Sequence, residues 1–327
     1  MLKKKWLILV LVVGILAACG DGKSSSSEGN ENDESSSKED IVIGFSQPTL
    51  ESPFYISLAD AAKEKAEELG VEIQVVDAQN DIEKQNSDVQ TLTTNQIDVL
   101  LLNPTNPSGV SPSLKAADNA GIPVVTVDRD VDGEVTSYVG RDNEVMGEIA
   151  GEEAVNLLDG EGKIIEIQGD AGGTVTLARH QGFHNIVEKE DGIEVIEGPN
   201  SDYIRAEAVS AMQDLLQAHP DVDLVYAHND DMALGAMQVL EKANKLDDVK
   251  VVGIDGLMEA VKGVDSEQYD ATVLNDPRKL GYLAVETAVQ LANEEDVEAY
   301  IDGGTELVNK DNVKEYLNDD LEFAEIK

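Results

Sequence analysis

The sequence predicts an α/β protein built as two doubly wound parallel-sheet lobes, and three observations carry that expectation. From Ile41 onward, short β-branched runs alternate with stretches of helical length, the pattern of right-handed βαβ units in a parallel sheet. After a short strand at Glu134–Val139 the same alternation restarts, giving more units than one compact sheet accommodates. At 327 residues the chain is long enough for two medium cores, which domain-size statistics favour over one large core.

The chain begins with a targeting segment, residues 1–18. Lys3, Lys4 and Lys5 form a basic start, and Trp6–Ala18 is an apolar run ending in small residues. That run is too short to span a hydrocarbon core of about 30 Å and reads as a secretion signal. Leu16-Ala17-Ala18-Cys19-Gly20 resembles the lipobox of bacterial lipoproteins, which implies cleavage before Cys19 and lipid on its sulfur. After Cys19, the rest of the stretch 19–40 is Ser, Gly, Asn, Asp and Glu with a little Lys. They have nothing to set against ordering entropy and read as a flexible tether.

Strands are then expected at Ile41–Ser46, Val71–Val76, Asp98–Leu102 and Pro123–Val127, with helices near 54–69, 81–95 and 109–120. After Glu134–Val139, strands are expected at 163–167, 193–197, 223–227, 249–254 and 270–274. The accompanying helices fall near 143–158, 176–190, 203–218, 230–243, 256–264 and 278–293, followed by an extended tail and a last helix near 310–317.

Composition excludes some functions. The formal charge is −42, from 24 basic and 66 acidic residues, which argues against nucleic-acid binding because phosphate contacts need clustered Lys and Arg. The single cysteine permits no intrachain disulfide. Aromatic residues make up 4% of the chain, so those that fall beside strand ends carry more information.

The candidate site residues gather at those ends. Val124-Val125-Thr126-Val127 runs directly into Asp128-Arg129, and ligands of open α/β sheets sit outside the carboxyl ends of the strands. A carboxylate beside a planar five-donor guanidinium suits a polyhydroxylated molecule; the dipeptide alone suits a solvent-facing ion pair equally well. Ser52 and Pro53 fit an N-cap and first helical position. Phe54 and Tyr55 are adjacent, cannot share one helix face, and at least one should face away from the packed side. Aromatic faces at a pocket mouth suit the C–H faces of sugars, although Phe54 fits a core as well. Asn103-Pro104-Thr105 fits a turn. Tyr203 opens a helix, Asn229 stands at a strand-to-helix junction, and Val251-Val252-Gly253-Ile254-Asp255 repeats the strand-then-Asp pattern.

Asn-Pro-Thr at 103–105, Val-Asp-Arg at 127–129, Asn-Asp-Asp-Met-Ala-Leu-Gly-Ala at 229–236 and Gly-Ile-Asp-Gly at 253–256 resemble the bacterial ribose-binding proteins. The likeness runs in order from about Ile41 to Val308. It implies a type I periplasmic-binding-protein-like receptor that feeds a sugar ABC importer by hinge closure, binds without catalysing, and works as a monomer outside the cytoplasm. Its partners would be the sugar, the permease subunits and, through Cys19, the outer face of the cytoplasmic membrane. The lobes would comprise 41–142 plus 276–301 and 143–275 plus 302–327. They would be joined by a three-crossing hinge near Arg141–Asn143, Asn275–Pro277 and Ile301–Thr305.

By the same resemblance, Asp128 and Arg129 grip sugar hydroxyls from the first lobe with Ser52 nearby. Arg179, Asn229 and Asp255 do so from the second, and Asn275 from near the hinge. Phe54, Tyr55 and Tyr203 sandwich the ring. Ser52 stands where ribose binders usually have Asn, Tyr55 and Tyr203 where they have Phe, and Asn275 where they have Gln. A site built around particular hydroxyls discriminates strongly, so these departures leave the sugar open: ribose, another pentose, a hexose or an inositol. A sugar or furanose-signal sensor serving a chemoreceptor or kinase, and a sugar-modifying surface enzyme, stand as alternatives.

Other motifs give less. Asp128–Gly133 matches the opening of an EF-hand loop, but Val139 stands where that loop needs a bidentate Glu. Asp170-Ala171-Gly172-Gly173 lacks the Lys-Ser/Thr of a P-loop. G-x-S-x-G is absent from the sequence. His180 and His184 share a helix face, but with Gln181 where a zinc-protease motif has Glu and no third ligand evident, they read as a solvated pair. The sequence therefore calls for no cofactor and no metal.

Overall fold

The computed structural model describes residues 41–327, so the expected signal, Cys19 and tether lie outside the described residues. The first half runs β1 (Val42–Gln47), α1 (Pro53–Leu69), β2 (Glu72–Asp77), α2 (Ile82–Thr94), β3 (Val99–Leu102), α3 (Ser111–Ala120), β4 (Val124–Val127) and β5 (Ser137–Gly140). The second runs α4 (Asn143–Leu157), β6 (Glu161–Gln168), α5 (Thr174–Val187), β7 (Gly192–Asn200), α6 (Arg205–Ala218), β8 (Leu224–Ala227) and α7 (Asp230–Lys242). It continues with β9 (Lys250–Asp255), α8 (Met258–Asp265), β10 (Ala271–Leu274), α9 (Pro277–Ala292), β11 (Tyr300–Asp302) and β12 (Leu307–Asn309).

Two six-stranded sheets result. One has the order β2-β1-β3-β4-β5-β11 and is parallel throughout. The other has the order β7-β6-β8-β9-β10-β12 and is parallel except for β12. Both are doubly wound, as the sequence led one to expect, with the order reversing beside β1 and β6, where such sheets bind ligands. The central strands β3, β4, β8 and β10 are buried along their whole length. Helices on both faces require that, and it explains why these strands read as near-continuous apolar and β-branched runs.

The chain passes between the sheets three times, after β5, after β10 and after β11. The Arg141 guanidinium ties all three passages together. Its Nε donates to the Gly304 carbonyl at 2.5 Å, Nη1 to Asn275 Oδ1 at 2.6 Å and Nη2 to the Asp276 carbonyl at 2.8 Å.

Three element expectations need correction. The helix expected from 109 starts at Ser111. The one expected from 203 starts at Arg205, because Asp202 and Tyr203 hold left-handed backbone angles, φ +50° and +60°, that a helix cannot include. The last helix, expected at 310–317, is only a 3₁₀ turn at Val313–Glu315. Asn312 Oδ1 accepts from the Asn309 N–H, Asn309 Oδ1 from the Asp311 N–H, and the Asn312 amide donates to the Leu307 carbonyl. These side chains offer the backbone partners that compete with a helix.

Candidate functional site

Between the carboxyl ends of the two sheets lies a small, partly open cleft. All ten residues singled out in the sequence line it, together with Val175. Ser52, Phe54 and Tyr55 come from the start of α1, and Asp128 and Arg129 from the end of β4. Val175 and Arg179 come from α5, Tyr203 from the loop after β7, Asn229 from the end of β8, Asp255 from the end of β9 and Asn275 from the loop after β10.

Local backbone geometry aims several of them. Ser52 holds the N-cap position with Pro53 in the first helical turn, but its hydroxyl makes no capping bond and faces the cavity. Asn229 caps α7, its Oδ1 accepting from the Met232 N–H at 2.9 Å. Asp128 and Asp255 both take left-handed angles, φ +66° and +121°. The turn at Asp128 is closed by the Arg129 N–H donating to the Val127 carbonyl at 2.7 Å. With Tyr203 at φ +60°, three non-glycine residues in costly conformations meet at one cavity, a pattern characteristic of ligand clamps. Tyr203 also needs its neighbour to be glycine: a Cβ on Gly169 would lie 2.1 Å from the Tyr203 ring.

Phe54 and Tyr55 both line the cleft, yet neither stands at an open mouth. Both are buried, because the N-terminal end of α1 is covered from the other lobe. Phe54 meets Phe323 edge-on, with ring centroids 6.0 Å apart, and Tyr55 in turn, 5.5 Å apart. Arg129 lies between two phenols, its guanidinium carbon 5.6 Å from the Tyr55 ring and 5.9 Å from the Tyr203 ring, distances at which a cation and an aromatic face attract.

The two arginines of the cleft differ in how they are held. Arg179 is fully tethered: Nε donates to Asn143 Oδ1 at 2.9 Å, Nη1 to the His228 carbonyl, and Nη2 lies 3.5 Å from Asp255 Oδ1. The close crossing of α4 and α5 makes this possible, since a Cβ on Gly182 would fall 1.9 Å from the Glu144 carbonyl oxygen. Arg129 is mostly enclosed, with 11% of its side chain exposed, yet its guanidinium makes no hydrogen bond among the described residues and its Nε is enclosed without a partner. Its nearest anion is Asp170 Oδ2, 3.6 Å away on the opposite lobe. A largely enclosed guanidinium with unused donors is costly unless something else accepts from it.

The acids are perturbed accordingly. Burial pushes the Asp255 pKa up to about 7, against the pull of Arg179 and the Asn275 amide, which donates to Asp255 Oδ1 at 3.1 Å. Burial also raises Asp128, with Arg129, Arg179 and Arg141 working against it. For Arg129, burial opposes the charge, but the oxygens of Tyr55, Asp170, Tyr203 and Asp128 more than restore it. Arg129, Arg141 and Arg179 thus face Asp128, Asp170, Asp255 and Asp276, so charges of both signs are interleaved around the cleft.

Two contributors were not singled out from sequence as site residues. Asp170 joins the lobes through Arg129, and Thr176 Oγ1 bonds both Asp170 Oδ1 and Tyr203 Oη at 2.8 Å. It follows β6 just as Asp128 follows β4, a signal obscured by comparing its loop with a phosphate loop. Arg141 was placed at a hinge crossing, but its side chain's tie to the other two crossings had no local signal, because its partners lie more than 130 residues away.

The His180–His184 expectation is also corrected. These rings are not a solvated pair: both hydrogen-bond the fully buried Glu166, which His228 contacts as well at 2.8 Å. Burial works to raise the Glu166 pKa, and the three imidazoles overcome it and leave the carboxyl well below its ordinary range.

Comparison with known proteins agrees with this geometry. A family profile described as the periplasmic binding protein domain matches residues 43–296. The ribose import binding protein of Bacillus subtilis is 37% identical over 86% of this chain and 90% of its own. A solute-binding protein of an ABC transporter from Mycobacterium smegmatis, solved with bound glycerol, is 54% identical with a TM-score of 0.85, covering 88% of this chain and all of that one. Another from Bacillus halodurans, solved with myo-inositol, is 36% identical with a TM-score of 0.80, over 84% of this chain and 96% of its own.

Proposed function

This chain belongs to the periplasmic binding protein family, and we propose that it is an extracytoplasmic receptor that closes over one neutral monosaccharide and presents it to an ABC importer. It binds and does not catalyse, as the family to which it belongs does.

The observation that carries the reading is Arg129, enclosed between lobes with its donors unspent, beside Asp128 and across from Asp255. A sugar offers hydroxyls that accept from the guanidinium and donate to the carboxylates at once. Charges of both signs interleaved around the cleft favour an uncharged ligand over a phosphate or an amine. The ligands named for the relatives, ribose, glycerol and myo-inositol, are uncharged polyols. Ribose or a sugar of similar size is the ligand we propose, held by the ten cavity residues, with Tyr55 and Tyr203 adding hydroxyls at its rim.

Closure follows from where the groups lie. Asp128 and Arg129 stand on one lobe, Arg179, Asn229 and Asp255 on the other, so only a closed molecule satisfies a ligand from both sides. Ligand binding then selects that state. The three crossings gathered around Arg141 serve as the hinge.

We further propose that lipid on Cys19 anchors a monomeric receptor to the outer face of the membrane. A Cys19→Ala protein should leave the membrane fraction, and one that still sediments with membranes contradicts the anchor. The ligand assignment is tested by a thermal-shift screen against pentoses, hexoses and inositols. A rise in melting temperature with one or a few of these supports it; a flat response to all of them, alongside a response to a charged solute, overturns it.

A further inference from the structure

We propose that Glu166, His180 and His184 form a binding site for a divalent transition-metal ion of the zinc class, placed between β6 and α5 behind the sugar cleft. His180 and His184 stand four residues apart on one face of α5, so their rings lie together with centroids 4.1 Å apart. Both turn toward the carboxylate that β6 buries beneath them. His180 Nδ1 is 3.1 Å from each Glu166 oxygen, and His184 Nε2 is 3.1 Å from Oε2. One ligand atom from each residue can be chosen so that all lie within 4.8 Å of one another.

Those spacings suit a metal. With Zn–N and Zn–O bonds of about 2.0–2.2 Å, neighbouring donors of a tetrahedral site stand about 3.3–3.6 Å apart, so small side-chain shifts convert this hydrogen-bonded set into a ligand set. Two imidazoles and one carboxylate leave a fourth position for water, and this donor set selects Zn²⁺, Co²⁺ or Ni²⁺ over Mg²⁺ or Ca²⁺. His180 keeps 30% and His184 12% of side-chain exposure, which leaves a path from solvent.

The outer shell is that of a metal site too. A ligating histidine usually donates its second ring nitrogen to a carboxylate, which fixes its orientation. His184 Nδ1 meets Glu188 Oε1 at 3.0 Å, and the second oxygen of the carboxylate, Glu166 Oε1, is held by His228 Nε2 at 2.8 Å. Glu197 pairs with Glu166 in the β6–β7 register and adds negative charge near His180. The cluster is distinct from the general acidity of the chain, which attracts cations weakly and without selectivity.

The test uses the full chain without a polyhistidine tag, stripped with chelator and titrated with Co²⁺ and then Zn²⁺. One Co²⁺ per chain is expected, with the visible absorption of a tetrahedral ion, displaced by Zn²⁺ and indifferent to a large excess of Mg²⁺. His180→Gln and His184→Gln, each of which keeps a side-chain donor that can reach for Glu166, should each weaken binding about 100-fold or more. Glu188→Gln should weaken it about 10–100-fold, the usual effect of an outer-shell partner. Cooperative thermal unfolding of each variant without metal certifies its fold. Binding that survives the His180→Gln/His184→Gln double variant unchanged, or Co²⁺ that Mg²⁺ displaces, overturns the proposal; so does the absence of any stoichiometric binding by the wild type.

Discussion

Replacing Arg129 with Met separates a ligand-binding residue from a structural one, because the two roles predict opposite effects. Among the described residues the guanidinium makes no hydrogen bond and only a 3.6 Å ion pair with Asp170, which is itself partly exposed. Removing one partner of a well-bonded buried ion pair costs about 3–5 kcal/mol, but Arg129 has no hydrogen bond to lose and stands 3.6 Å from its anion. The ligand-free Arg129→Met protein should therefore lose well under about 3 kcal/mol of stability. Sugar binding should fall sharply. Each hydrogen bond from a charged donor is worth about 1.5–3 kcal/mol, so two such bonds to a sugar amount to about 3–6 kcal/mol, or roughly 10²–10⁴-fold in affinity. Denaturant melts of the ligand-free proteins and calorimetric titration with the preferred sugar measure the two quantities. A variant that loses about 3–5 kcal/mol of stability yet keeps its affinity would refute the reasoning, and Arg129 would then be an ordinary interlobe ion pair.

Three further outcomes follow from the geometry. Arg141→Met strips the Asn275 side chain and two hinge carbonyls of their donor; with orphaned buried groups costing about 1–3 kcal/mol each, chemical denaturation should show a loss of about 3 kcal/mol or more. The Asp255 carboxyl, raised to about 7 in the folded protein, holds a proton that the unfolded chain gives up near the ordinary value of about 3.9. Ligand-free stability should thus fall as pH rises between those values, by something on the order of a few kcal/mol, and level off above. Asp255→Asn should remove that slope, and denaturant midpoints across the window that stay parallel for the two proteins would count against it. Gly182→Val drives a side chain into the Glu144 carbonyl, so α4 and α5 must part. The expected cost is about 1–3 kcal/mol in melting experiments, together with weaker sugar binding as Arg179 loses its hold on Asn143.

The sequence made the lobes legible because helices on both faces bury β3, β4, β8 and β10 along their whole length, and a largely apolar, β-branched run such as Val124–Val127 reads most readily as such a strand. Asp128 and Asp255 were legible for the same reason: a charge that ends such a run has to face something. What escaped notice depends on distance along the chain. Arg141 acquires its role from Asn275, Asp276 and Gly304, which no local pattern connects to it. Asp170 and Glu166 sat in plain view within Ile164-Ile165-Glu166-Ile167-Gln168-Gly169-Asp170. An acid in the middle of a buried strand demands partners, and that demand points to His180, His184 and His228. The last helix failed where Asn309 and Asn312 supply their own turn.

The central claim is that the cleft between the lobes holds one uncharged monosaccharide. Isothermal titration of the wild-type chain with the sugar that shifts its melting most tests this directly, run in parallel with Arg129→Met. One sugar per chain is expected for the wild type, and an affinity weaker by roughly 10²–10⁴-fold for the variant. Equal binding by both proteins, or a stoichiometry other than one, would contradict it.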